Sequence, residues 1–130
     1  MIPRRKPASA QAQAKYEADV KLAGEFDQLL DRARTTEQAF REAQARRADL
    51  RELRDLGKQF DVALTAAMRA AYAAQRAAIG PRGYDDRIYR RKAMATDRVQ
   101  IWTHEADRLL TLRESHRLTG LARLAPVPGG

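Results

Sequence analysis

Apolar side chains recur along this chain at steps of three and four. Starting at Tyr16, the positions Val20, Ala23, Phe26, Leu29 or Leu30, Ala33, Thr36, Phe40, Ala43, Arg47, Leu50, Leu53, Phe60, Leu64 and Met68 mostly keep that stepping, with Thr36 and Arg47 as its polar members. Residues so spaced share one face of a helix, so the pattern predicts a helix, or helices end to end, from about residue 9. Ser9 is placed to cap it. Two positions stand out as interruptions: Thr35 with Gln38 has capping-box spacing, and Gly57 costs about 1 kcal/mol against Ala inside a helix. The stepping crosses both without a change of phase, so a long first helix, at most kinked, is the expectation. Glu17 with Lys21, Glu37 with Arg41 and Glu42 with Arg46 stand four apart in the favourable order, each contributing a few tenths of a kcal/mol to exposed helix.

The stretch LTAAMRAAYAAQRAAIG, residues 64–80, offers Ala on most sides of the helix, which lets a neighbouring helix come close. Then the pattern stops. Gly80 suits a left-handed cap, Pro81 forbids continuation, Gly83 frees the turn, and Asp85 or Asp86 can cap the next helix. A last helix from about Asp86 to Leu118 carries Ile88, Ala95, Val99, Trp102, Ala106 and Leu109 on one stripe. A turn this short brings the two helices into antiparallel contact. The fold class read from the pattern is all-α: long helices forming an antiparallel helical hairpin or coiled-coil-like bundle with extended tails. The divisions are a basic arm over 1–8, a helical hairpin domain over 9–118 with its turn near 80–84, and a Pro/Gly-rich tail over 119–130.

Composition agrees and narrows the function. The 130 residues are one domain's worth. Three Phe and one Trp make large apolar groups sparse, and the hydrophobic fraction owes much to Ala, so the core reads as a narrow seam. Cysteine is absent, which excludes disulfides and thiolate metal sites. No apolar stretch approaches the roughly 18 residues of a membrane span, and MIPRRKPASAQAQAKY lacks the apolar region of a secretory signal. The expected location is the cytoplasm or the inside of a virus particle.

Specific chemistry finds little support. His104 and His116 are the only histidines, and HEADR at 104–108 lacks the second His of a zinc-binding HExxH. Asp97, Gln100, His104 and Asp107 share a helical face, but the paired Glu-x-x-His motifs of di-metal bundles are missing. There is no Gly-rich phosphate loop and no G-x-S-x-G elbow. The reading is of a protein that is not an enzyme, with no cofactor, no metal, no small-molecule substrate and no membrane partner.

Charge raises one further prospect. The net charge is +8, which favours polyanions or acidic surfaces. Arg4, Arg5 and Lys6 form one basic patch and Arg82, Arg87, Arg90, Arg91 and Lys92 another, with Tyr84 and Tyr89 placed to stack on bases or to pack against the hairpin's end. No helix-turn-helix, zinc-finger or RNA-binding aromatic motif accompanies them.

Two function classes emerge. A two-helix hairpin with a narrow seam leaves apolar edges uncovered, a need met by association with copies of itself or with other helices. The first expectation is therefore a non-catalytic helical structural subunit of a larger protein complex. In general character, though not by any motif, the chain resembles the small helical accessory and connector proteins of bacteriophage particles. The contacts expected for such a subunit are Phe26, Phe40, Leu50, Phe60, Met68, Ile88, Trp102, Leu121, Leu124 and Val127. The alternative is a basic nucleic-acid-binding protein using residues 82–92, with Arg4, Arg5 and Lys6 assisting.

Overall fold

The computed structural model describes residues 7–124. Its helices start and stop where side chains or special dihedrals satisfy the backbone groups that a helix end leaves unpaired. Ser9 accepts from the Ala12 N–H at 3.0 Å and opens α1, Ala10–Ala23. After a bend at Gly24 and Glu25 the chain continues as α2, Phe26–Ala45. Asp49 accepts from the Glu52 N–H at 2.8 Å and opens α3, Leu50–Ile79. A 3-10 turn, Pro81–Tyr84, comes after Gly80, whose φ of 100° suits only glycine. The chain closes with α4, Arg87–Met94, and α5, Asp97–Thr119. Among the described residues every regular element is helical, and the helices pack on one another as an all-α bundle.

The first helix is not one rod. Both suspected interruptions lie inside helices, Thr35 in α2 and Gly57 in α3, while the reversal falls at residues 46–49. There the Arg47 N–H donates to the Gln44 carbonyl at 3.1 Å and the Ala48 N–H to the Ala43 carbonyl at 2.9 Å, with Arg47 at φ 55°. This is the double-bonded stop normally built on a glycine, here carried by an arginine. Gly57 serves packing instead. A Cβ there would stand 3.3 Å from Cε1 of Phe40, so the missing side chain lets the Phe40 ring lie against α3. The last helix is likewise divided, at Ala95 and Thr96.

The extra reversal turns the expected hairpin into three antiparallel rods: α1 with α2, then α3, then α5. α3 lies in the middle, and its buried Ala63, Ala67, Ala70, Ala71 and Ala74 let both neighbours approach closely. Aromatic rings bridge the outer rods across it. Phe26 meets Trp102 edge-on at 5.2 Å, and His116 sits between Phe40 at 5.4 Å and Phe60 at 4.7 Å. The His116 Nε2 lies 2.8 Å from the Gly57 carbonyl.

The uncovered seam is therefore absent, because the chain supplies its own third rod. Phe26, Phe40, Phe60, Met68 and Leu124, expected to meet other subunits, are buried within this chain, Phe60 at 1% exposure and Leu124 at 2%. Residues 121–124 have no regular secondary structure, and alternate ones, Ala122 and Leu124, are buried against the bundle. Leu124 donates its N–H to the Glu37 carboxylate at 2.6 Å, Arg108 holds its carbonyl at 2.5 Å, and Gln44 holds the Gly120 carbonyl at 3.0 Å. The segment is strapped between α2 and α5, and Leu124 joins the core.

Candidate polyanion interface

The corner between α3 and α5 gathers most of the second basic patch. Asp86 caps α4, its carboxylate accepting from the Tyr89 N–H at 3.0 Å. That backbone donor, with help from Arg82 at 3.3 Å, holds the Asp86 carboxyl below the ordinary aspartate range despite the opposing effect of desolvation. The other acid of the corner is also engaged. Asp85 accepts from the Ser9 N–H at 2.8 Å and from its hydroxyl at 3.2 Å, tying the start of α1 to the turn. Asp85 and Asp86, read from sequence as interchangeable caps, thus have separate roles.

α4 itself, RIYRRKAM, contains no acidic residue. Arg87, Arg90, Arg91 and Lys92 are exposed, and none forms an ion pair with another described residue. In the bundle some cations are paired, Arg41 with Glu37, Arg46 with Glu52, Arg76 with Asp19, Arg108 with Glu105 and Arg117 with Asp61, while others such as Arg51, Arg54 and Lys58 are not but have acids of the same helix near them in sequence. Four uncompensated cations within six residues concentrate a positive field on one protruding element. Arg82 differs from them: it is half-buried, paired with Asp86, and its guanidinium lies 4.7 Å from the Tyr89 ring centroid.

Both tyrosines make contacts within the chain. The Tyr84 hydroxyl donates to Asp19, which also holds Arg76 through two bonds of 2.8 and 3.0 Å. Burial, with the hydrogen bond to Asp19 and that residue's charge, pushes the Tyr84 phenol well above its ordinary value. Burial also works to raise the Asp19 carboxyl, but the hydrogen bonds from Arg76 and Tyr84 and the Arg76 charge outweigh it and leave the net shift downward. Tyr89 is half-buried beneath Arg82. Arg82 lies over one face of the Tyr89 ring, and the Tyr84 hydroxyl is taken by Asp19. Asp19 was not singled out from sequence, since its partners stand 57 and 65 residues away and leave no local signal.

The remaining candidates fall in several places. Leu50, Ile88 and Leu121 are exposed at 65%, 70% and 69%, and Trp102 is half-buried against Phe26. Arg4, Arg5, Lys6 and Val127 lie outside the described residues. An open groove of about 450 Å³ runs beside α4 between Arg82, Tyr89, Lys92 and Thr96. A larger one, about 660 Å³, lies between α2 and α3, lined by Leu29, Thr36, Asp55, Lys58 and Val62. Among the described residues no cluster of three His, Asp or Glu is arranged to hold a metal ion, and no helix is long and apolar enough to cross a membrane. Comparison with protein-family models, curated proteins and solved structures finds no match for the chain.

Proposed function

We propose that this protein is a non-catalytic helical binding module that docks a polyanion on α4. One observation carries the reading: Arg87, Arg90, Arg91 and Lys92 stand exposed on a two-turn helix with no acid of its own, while the two acids that precede it are taken up, Asp85 by Ser9 and Asp86 by Arg82 and the Tyr89 N–H. The bundle supplies a rigid base. Arg87→Ala/Arg90→Ala/Arg91→Ala tests it on immobilised heparin and on labelled nucleic acid. The wild type is retained with an affinity that falls steeply with salt, and the triple variant loses about tenfold or more near 0.15 M salt with a shallower salt slope. Retention that ignores both salt and the substitutions rejects the reading.

A second reading, a structural subunit of a larger assembly such as a virus particle, draws support from the opposite end of the bundle. There Leu50, Leu118 and Leu121 are exposed at 65%, 85% and 69%. Light scattering on the purified chain checks it. An oligomer that Leu118→Ser/Leu121→Ser dissociates supports an assembly face, and a monomer at high concentration, binding no protein through that end, removes it.

A further inference from the structure

We propose that α4 is a helix that reads the major groove of duplex DNA, with Ile88 set to meet a thymine methyl group, flanked around the helix by Arg91 and Lys92. The proposal rests on the polyanion reading above and names its ligand class. α4 is the one helix of the described structure with no buried residue, so much of its surface is open to solvent. Its eight residues span about 12 Å, and a helix with side chains, about 10–12 Å across, matches a major groove about 12 Å wide.

Around the helix at about 100° per residue, Arg87, Ile88, Arg91 and Lys92 fall within one outward arc of about 140°. All four are exposed, as is Arg90 outside the arc, while Tyr89 and Ala93 on the opposite side and Met94 at the C-terminal end are half-buried. Ile88 is the informative member. It is 70% exposed and lies among three cations. Cations alone would suffice for a phosphate backbone, whereas the apolar feature a duplex offers in its major groove is the thymine methyl, and arginine reads the neighbouring guanine edge.

Other polyanions fit less well. Binding of single strands depends on aromatic faces that stack on bases, and here both tyrosines are half-buried and Arg82 already lies over one face of Tyr89. The major groove of an RNA duplex is too narrow for a helix. An anionic membrane surface calls for an extended apolar face, and α4 offers one isoleucine.

The test uses the full chain and fluorescence anisotropy. A labelled random 20-base-pair DNA pool is enriched on the protein, and the selected duplex is remade with uracil in place of thymine at each position in turn. Wild type is expected to prefer the selected duplex about tenfold or more over its single strands, over the RNA duplex and over phosphatidylserine vesicles. Loss of one thymine methyl should weaken it about fivefold. Ile88→Ala, an exposed change whose folding circular dichroism checks, should bind the thymine and uracil duplexes alike. Arg87→Ala/Arg91→Ala should lower the salt slope by about 2. Equal binding of thymine and uracil duplexes by wild type at every position, or equal affinity for single strands, RNA or vesicles, overturns the proposal. If heparin and DNA are held salt-dependently in that case, the polyanion reading stands and this one alone falls; if neither is held, both fall.

Discussion

Gly83 and Arg47 show how single positions shape the two ends of the bundle. A Cβ on Gly83 would lie 2.4 Å from Cγ2 of Ile79, a buried and β-branched side chain with little freedom to move aside. Gly83→Ala is therefore expected to cost about 1–3 kcal/mol through overpacking, read as a lower urea midpoint with unchanged slope. Arg47 gives the opposite sign. Its left-handed dihedral costs a non-glycine residue about 1–2 kcal/mol, and glycine would remove that cost while adding some unfolded-state entropy. Arg47→Gly should raise stability by roughly 0.5–1 kcal/mol in the same assay. Gly57, by contrast, was visible in the sequence as an oddity but not in its role. Helix propensity marks it as a weak point, and only the Phe40 ring lying against it explains why it stays helical.

Among the elements, α3 and α4 are opposites. α3 is buried on a broad Ala face and holds both neighbours, so added volume has nowhere to go. Ala67, at 0% exposure, is the most direct test: Ala67→Leu should cost about 1–3 kcal/mol and broaden the thermal transition, checked by calorimetry. The tolerance of α4 is expected to be wide, since nothing on it is buried. Its charge was legible as RIYRRK in the sequence. What could not be read there was that Asp85 is held by Ser9, that Asp86 is spent on a cap and on Arg82, and that the Tyr84 hydroxyl meets Asp19 while Arg82 lies over Tyr89. Each depends on a residue brought near by folding or on a local geometry with several sequence-compatible alternatives.

In the molecule as a whole, two carboxylates tie distant rods together. Asp19 joins α1 to α3 and the turn, and Asp61 of α3 accepts from Arg117 of α5 at 2.7 and 3.1 Å. The Arg117 hydrogen bonds hold the Asp61 carboxyl below its ordinary value, and Asp19 is lowered as described. A depressed folded-state value stabilises the fold above the ordinary aspartate value near 3.8, and that contribution is lost as pH falls through the lower folded values. The melting temperature should therefore drop below about pH 4, and Asp19→Asn should lower it at pH 7 while flattening the acid drop. Tyr84, raised in the fold, contributes in the other direction: its share is present below the ordinary tyrosine value of 10.0 and is lost at higher pH.

Helicity, the corner at Gly80 and Pro81, the Ala-rich packing face and the cationic stretch were all readable from residue order. Each arises from local propensity or from a three-and-four spacing that holds whatever the partner. The number of rods was not readable. Arg47 adopts a conformation that local preference opposes, at the end of a stretch whose apolar stepping gives no sign of stopping. The gain that outweighs this cost is non-local: reversal at residues 46–49 lets Phe40, Phe60 and His116 close on one another and buries the stripe that a straight helix would leave wet. A stepping pattern says which side of a helix is apolar, but burial energy depends on what comes to lie against it, and here that was another part of the same chain.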